Sequence, residues 1–155
     1  MNKKSIIIFF LVFFISLILD QFSKTLVLEI IKDGEVKITK YFSLIFVGNK
    51  GVLFGLFSNL PMNIPIIIIS FFVIIILCIY AINSSKESKI LQIFLGLVAG
   101  GIGGNLLDRI KYGYVIDFLD FKIWPVFNLS DVFIVSGTIL TILYYIKRKK
   151  CIPNS

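Results

Sequence analysis

The chain has 155 residues, of which 57% are hydrophobic and only 16% are charged, whereas soluble domains average about 45–50% and about 25%. A water-soluble domain of this length could not bury so much apolar surface, so the composition indicates a membrane protein. The net charge is +7, but the basic residues collect at the ends of apolar runs and form no stripe with interleaved aromatics, so we expect no nucleic-acid partner.

The first half of the chain predicts one membrane helix followed by a small β-element. An apolar run over residues 5–28 follows Lys3 and Lys4, and because no small-x-small cleavage site ends it, we interpret it as a retained helix and not as a signal peptide. Residues 29–60 carry the turn signal Asp33-Gly34, then an alternating polar and apolar stretch and a run rich in β-forming residues. This pattern predicts an extramembrane β-element.

The second half predicts three more spans. Apolar runs cover residues 62–82, 90–110 and 128–146, and a polar-aromatic loop at 111–127 precedes the last of them. Each run is about as long as a bilayer is thick, and the third run is rich in glycines, which allow close helix approach. The sequence therefore predicts an all-α membrane protein, a four-transmembrane-helix bundle with a small β-element between helices 1 and 2, as one membrane-embedded domain over residues 1–155.

The distribution of basic residues predicts the orientation. Four spans place both termini on one side, and the basic ends and the loop with Lys86 and Lys89 favour the cytoplasm for that side. The β-element and the 111–127 loop are then extracytoplasmic, although the β-element also holds four lysines.

Histidine and cysteine chemistry are not expected in this chain. It has no histidine, which excludes a Ser-His-Asp triad, a Cys-His pair and a histidine-ligated metal site; we expect no metal and no other cofactor. Cys78 lies within an apolar run and Cys151 in the basic tail. We interpret Cys78 as a small hydrophobe and expect no disulfide, because the two residues lie at different depths.

Charged and amide side chains recur at one predicted membrane face. A charged group near or within a span costs a few kcal/mol, so an apolar chain should keep such groups only where they are needed. Asp20 and Lys24 are four apart and share a helical face. The five places are Asp20 with Lys24, Asn49-Lys50-Gly51, Asn105 with Asp108 and Arg109, Asp117, and Asn128 with Asp131.

Each place also has an ordinary structural interpretation. Asp20 and Lys24 could form a simple ion pair, and the segment around Asn49 could be a turn. Asn128 could cap a helix, and Asp131 could interact with the helix dipole. Together, however, several carboxylates converge at one depth. Two carboxyl groups in an apolar site cannot both ionise easily, and a pair that shares one proton can activate a water molecule. The set therefore favours an aspartyl hydrolase.

The ordered motifs resemble those of lipoprotein signal peptidase, also called signal peptidase II or prolipoprotein signal peptidase, an aspartyl peptidase family. The resemblance covers about residues 20–131. It rests on Asp20-Gln21-x-x-Lys24, Asn49-x-Gly51-x-x-Phe54, Gly100-Gly101-x-x-Gly104-Asn105-x-x-Asp108-Arg109, Val115-Ile116-Asp117-Phe118 and Phe127-Asn128-x-x-Asp131.

The resemblance implies an enzyme of the bacterial cytoplasmic membrane that acts near the extracytoplasmic face. It would cleave prolipoproteins on the N-terminal side of a diacylglyceryl-modified Cys, so lipid-modified prolipoproteins and membrane lipids are the implied partners, and we expect a monomer. Asp117 and Asp131 match the catalytic aspartates. We expect Asp108 to be structural, because an adjacent arginine lowers a carboxyl pKa. The other matching positions would bind substrate or support the site: Asp20, Lys24, Asn49, Gly51, Asn105, Arg109 and Asn128.

Three features depart from the family pattern. Val52-Leu53 stands where Ala-Ala is usual, the stretch from Asp117 to Asp131 is short and contains Trp124-Pro125, and Ser130 replaces a common alanine. The alternative interpretations are a small ion-coupled transporter or channel subunit, since intramembrane Asp and Lys also mark ion paths, and a structural scaffold. The second span has no charged residue, which argues against a polar path across the membrane.

Overall fold

The computed structural model describes residues 2–32, 34–51 and 63–151. Its four helices are α1 (Lys3–Ile30), α2 (Asn63–Asn83), α3 (Lys89–Tyr112) and α4 (Leu129–Cys151). All four are long and apolar enough to cross a bilayer, which confirms the four-helix membrane fold. The helices α1 and α3 extend one or two residues beyond each predicted end, whereas α4 begins one residue later than predicted and ends five residues later. The predicted start of the second span at residue 62 lies outside the described residues.

The helix α2 exposes most of its apolar side chains, as expected for a helix that contacts lipid. It is apolar all round, and Ala81 is its one buried residue, as expected of a span whose solvent is hydrocarbon. Pro65 lies in the first turn of α2, where a helix needs no backbone N–H from it.

The helix α3 forms the centre of the bundle. It packs against the other three helices, and its buried residues include three polar side chains and all five of its glycines. A Cβ added at Gly101 would lie 2.6 Å from the carbonyl oxygen of Ser130 on α4. The close helix approach predicted from these glycines is therefore present.

A three-stranded antiparallel sheet lies beyond the ends of the helices. Its strands are β1 (Val36–Thr39), β2 (Phe42–Asn49) and β3 (Val115–Asp120), in the order β1-β2-β3. The prediction that residues 111–127 form only a connection was wrong, because they supply β3. Since this strand is buried on both faces, it lacks the alternation by which a half-exposed strand is identified.

The chain enters β3 directly from α3. Gly113 ends α3 in a left-handed conformation, with φ of 80°, which is a common helix end. Ile116 and Phe118 of β3 then pack on Val27 and Ile31 at the end of α1. This packing places Asp117 above the bundle, and the register pairs Asp117 with Val47 on β2.

Candidate active site

Asp117 lies on β3 with both carboxylate oxygens held by amides. Its side chain is only 2% exposed. Asn49 Nδ2 donates to Oδ2 at 2.9 Å, and Asn128 Nδ2 donates to Oδ1 at 2.6 Å. Burial raises the pKa of Asp117 to about 7; the Asn49 and Asn128 hydrogen bonds oppose the rise, and the nearby charge of Asp131 adds to it. Asp117 is thus a carboxyl group that titrates near neutral pH.

Asp131 is the third residue of α4 and belongs to a reciprocal helix cap. Its backbone N–H donates to Asn128 Oδ1 at 3.0 Å, and the Asn128 N–H donates to Asp131 Oδ2 at 3.3 Å. The predicted cap at Asn128 is therefore present. The cap also orients the carboxyl group of Asp131, whose Oδ1 accepts a hydrogen bond from Asn105 Nδ2 at 2.9 Å.

The two carboxyl groups are joined through a pair of asparagines. Asn128 Nδ2, which contacts Asp117, also lies 3.0 Å from Asn105 Oδ1, and Asn105 in turn donates to Asp131. Asp117 and Asp131, from a strand and a helix, are therefore connected through two amide side chains: Asn128 binds Asp117, and Asn105 binds Asp131.

A buried lysine lies behind this arrangement. Lys24 Nζ is 2.8 Å from Asp20 Oδ2, 2.7 Å from Asp108 Oδ2 and 3.2 Å from Asn105 Oδ1. The lysine is 2% exposed and both aspartates are 1% exposed or less. Its three N–H donors thus each have an acceptor. The predicted pairing of Asp20 with Lys24 is present, and it forms part of a larger network.

The two aspartates beside Lys24 also bind backbone N–H groups next to the candidate dyad. Asp20 Oδ1 accepts from the N–H of Ser130 at 2.8 Å, and Asp108 Oδ2 accepts from the N–H of Ile116 at 3.0 Å. Ser130 directly precedes Asp131, and Ile116 directly precedes Asp117. Each buried aspartate therefore fixes the backbone immediately before one of the two dyad residues.

Arg109 forms no ion pair with the neighbouring Asp108 in the described part of the chain. Consecutive helix positions face different directions, so Asp108 binds Lys24 on α1 while Arg109 turns towards the β-element. Arg109 Nη2 donates to the carbonyl oxygen of Gly51 at 2.9 Å, and Nη1 donates to that of Asn105 at 3.4 Å. Asp108 is buried, and its carboxylate oxygens are bound by Gln21, Lys24 and the N–H of Ile116, so the structural role expected for it would rest on these contacts and not on Arg109.

The segment around Asn49 combines the turn and the site. The N–H of Gly51 donates to Asn49 Oδ1 at 2.9 Å, which is the predicted turn, and the other end of the same amide binds Asp117. Val52, Leu53 and Phe54, where the sequence departs from or matches the family pattern, lie outside the described residues.

Two polar residues received no role in the sequence analysis. Gln21 Nε2 donates to Asp108 Oδ1 at 2.9 Å and to the carbonyl oxygen of Gly104 at 3.2 Å, and Ser130 supplies the N–H that Asp20 binds. The position of Gln21 beside Asp20 in an apolar helix was the available signal. A backbone donor such as that of Ser130 leaves no signal in side-chain chemistry.

A cavity of about 600 Å³ opens beside the dyad. Its polar end is formed by Asn49, Asn105, Arg109, Asp117 and Asp131. Its apolar part runs between the helices and is lined by residues such as Ile66 of α2, Ile102 of α3 and Ile139 of α4. The cavity can therefore place an apolar chain along the helices and a polar bond at the two carboxyl groups. Within the described residues, no group of three or more acidic or cysteine side chains is placed to hold a metal ion.

The comparison with protein families identifies the chain. The family model described as signal peptidase (SPase) II matches residues 12–147. The chain belongs to the signal peptidase II family. Two relatives are each named lipoprotein signal peptidase. The one from Halothermothrix orenii is 42% identical over 146 residues, which cover 91% of this chain and 97% of the relative. The one from Pelotomaculum thermopropionicum is 38% identical over 133 residues, 84% and 86% of the two chains.

Solved structures agree with the fold. A bacterial membrane enzyme determined by the in meso method at 2.3 Å resolution matches with a TM-score of 0.84, at 24% identity, over 94% of this chain and 91% of its own. Another, at 1.9 Å resolution, matches with a TM-score of 0.77 at 26% identity, over 88% and 91%. The resemblance found in the sequence is thus confirmed, and this signal peptidase II family member is a multi-pass membrane protease. The transporter, channel-subunit and scaffold interpretations have no support from these comparisons.

Proposed function

We propose that this chain removes signal peptides from diacylglyceryl-modified bacterial prolipoproteins by cleaving on the N-terminal side of the lipidated Cys. The relatives' names support the substrate class. The observation that carries the chemistry is the connection of Asp117 to Asp131 through the hydrogen-bonded amides of Asn128 and Asn105, at the polar end of an otherwise apolar cavity.

The proposed reaction is general acid–base hydrolysis by an aspartyl dyad. One carboxylate takes a proton from water as the water oxygen attacks the scissile carbonyl carbon, and the other carboxyl group gives its proton to the carbonyl oxygen. The resulting tetrahedral diol loses its C–N bond when the dyad proton passes to the departing amine and a diol hydroxyl gives its proton to the other carboxylate, which forms the product carboxylic acid and returns the dyad to one shared proton. Because the pair titrates jointly, the acid and base roles belong to the pair.

The surrounding amides suit this chemistry. Asn49, Asn105 and Asn128 hold the carboxylate oxygens by N–H donors without supplying a positive charge. A cation in direct contact would favour ionisation of both carboxyl groups. Arg109 lines the cavity and binds Gly51, and we propose that it orients the substrate backbone.

The apolar part of the cavity accounts for the substrate's membrane origin. We propose that the signal peptide and the diacylglyceryl chains enter from the bilayer between α2 and α4. Residues of α3 would then line the inner wall of the cavity. Membrane lipids are then the natural surroundings of both enzyme and substrate, and nothing in this scheme requires a second copy of the chain. The basic residues at 147–150 support cytoplasmic termini in the bacterial cell membrane, and we propose accordingly that the dyad lies near the extracytoplasmic face.

Single amide substitutions test the dyad. Asp117→Asn and Asp131→Asn keep the shape of each side chain and remove its proton chemistry, so each should lower the rate of signal-peptide release by at least about 10²–10⁴-fold. The measurement is cleavage of a lipidated precursor in detergent, with folding checked by gel filtration. Asp120→Asn is the matched control, since Asp120 lies on the same strand but binds Lys122. Full activity in either dyad variant, or inhibition by a chelator, would contradict the proposal.

A further inference from the structure

A short loop between β3 and α4 presents two large apolar side chains to the outside. Ile123 is 90% exposed, more than any other large apolar residue in the described part of the chain, and Trp124 is 57% exposed. We propose that this tip, defined as Ile123 and Trp124, inserts into the phospholipid interface at the mouth of the active-site cavity. The interaction does not depend on the proposed reaction.

The base of the loop is held to the sheet by charges. Lys122 has a left-handed backbone with φ of 61°. Its N–H donates to Asp120 Oδ1 at 2.8 Å, and its ammonium lies 2.7 Å from Asp120 Oδ2 and 2.9 Å from Glu35 Oε1. Ser43 Oγ donates to the same aspartate at 3.3 Å. The residue that precedes the tip is therefore held to the sheet by hydrogen bonds and ion pairs.

The position of the tip corresponds to the depth of a bilayer interface. Trp124 precedes the start of α4 at Leu129 by five residues, which limits its distance from the helix start to about 17 Å. The head-group regions occupy the first several Å beyond the hydrocarbon core. One side of Trp124 also lines the cavity, together with Val126 and Phe127, so the tip lies where the site meets its surroundings.

The chemistry of the tip fits a phospholipid interface. Tryptophan is enriched at membrane interfaces, where its large amphipathic ring lies at the level of the head groups. Insertion of the Ile123 side chain, which is 90% exposed, would remove its apolar surface from water, and this transfer is favourable in free energy. The charges at the base are paired with each other, so the tip offers no free charge for a charged partner.

The chain itself supplies a probe at this position, because Trp124 is its only tryptophan. The full chain is reconstituted in phosphatidylcholine vesicles whose acyl chains carry bromine either near the glycerol end or near the terminal methyl. Trp124 fluorescence should be quenched strongly by the shallow bromine and weakly by the deep bromine. It should also be poorly quenched by aqueous acrylamide.

A substitution at the neighbouring residue tests the tip as a unit. Ile123→Ser should weaken shallow-bromine quenching several-fold and shift Trp124 emission to the red. Ile38→Ser is the matched control: Ile38 is 53% exposed and lies on β1 at the opposite edge of the sheet. It should leave the Trp124 signal unchanged.

Four results would overturn the inference. Emission that is as red and as accessible to acrylamide as in the denatured chain would place Trp124 in water. Quenching by deep bromine alone would place it in the hydrocarbon core. An unchanged signal in Ile123→Ser would show that the two residues do not insert as a unit. Quenching that rises as the protein is diluted with lipid would show that the tip contacts a second copy of the chain.

Discussion

Two pairs of carboxyl groups lie side by side in this protein and differ in what holds them. Asp20 and Asp108 share Lys24, whose ammonium lies within 2.8 Å of both. Asp117 and Asp131 are held by asparagine amides, and no lysine or arginine in the described residues forms an ion pair with either. The same side chain is therefore a structural anion in one pair and a candidate acid or base in the other, and its partner decides which.

The first pair also positions the second. Asp20 and Asp108 bind the backbone N–H groups that precede Asp131 and Asp117, and the third contact of Lys24 is with Asn105. The charged pair thus connects α1 and α3 to the start of α4 and to β3, so a change in the first pair should affect both stability and catalysis.

The largest effect should follow removal of the cation. Lys24→Met leaves Asp20 and Asp108 buried without their partner, and breaking a buried ion pair in this way typically costs about 3–5 kcal/mol. We expect the free energy of unfolding in detergent micelles to fall by this order. Adding Asp108→Asn to the variant should restore part of the loss, because it removes one of the uncompensated charges.

The exposed pair of Lys32 and Glu29 supplies the control for Lys24→Met. Both side chains are more than half exposed, so Lys32→Met should change stability by less than about 1 kcal/mol. Equal losses in the two lysine variants would show that the buried network contributes nothing beyond an ordinary surface pair.

The next effect concerns protonation of the amide-held pair. Because burial raises the pKa of Asp117 from 3.8 to about 7, its proton is lost as pH rises through 7, and kcat/KM should fall on that alkaline limb. The Asn49 hydrogen bond lowers this pKa, so Asn49→Ala should move the limb to higher pH. A pH–rate profile measures both, and a limb that moves to lower pH in the variant would contradict the assignment.

The same pKa predicts the pH dependence of folding. The unfolded chain releases the Asp117 proton near pH 3.8, whereas the folded chain keeps it to about pH 7. The folded state therefore binds more protons than the unfolded state across this window. The contribution of Asp117 to the free energy of unfolding consequently decreases as pH rises. Asp117→Asn should remove this pH-dependent contribution, and unfolding curves measured at several pH values would detect the change.

The helices could be predicted from the sequence because lipid imposes a simple rule. A span must be long and apolar, and the isoleucine-rich sequence of α2 clearly meets both conditions. The strand β3 could not be predicted in the same way. Both faces of Val115–Asp120 are covered, so its pattern carries no alternation, and its pairing with β2 depends on residues far away in the chain.

The site could be predicted as a set of residues but not as a set of contacts. Spacing placed Asp20 and Lys24 on one face, and the resemblance assigned Asp117 and Asp131 to the dyad. The partner of Asp108 depends on the packing of α1 on α3, which no local pattern reports. The asparagine bridge between the dyad residues likewise forms only after α3, β3 and α4 have come together.

A smaller effect should follow from crowding the charged pair. A Cβ added at Gly104 would overlap Ser130 Oγ and the Asp20 carboxylate, so Gly104→Ala should lower the free energy of unfolding by about 1–3 kcal/mol. At Gly103 the nearest atom is Leu17 Cδ1 at 3.0 Å, the end of a flexible side chain, so Gly103→Ala should cost less. Equal losses in the two variants would show that α3 does not need the glycine specifically beside Asp20.

The smallest effect is expected at Ser130, which directly precedes Asp131. Its backbone N–H serves Asp20, but its buried Oγ has no hydrogen-bond partner among the described residues. A buried polar group without a partner costs about 1–3 kcal/mol. Ser130→Ala should therefore raise the free energy of unfolding by up to about 1 kcal/mol and leave kcat unchanged, because the contact from the backbone to Asp20 remains. A loss of stability or rate would show that the hydroxyl has a partner, and the charged pair would then extend towards the dyad through Ser130.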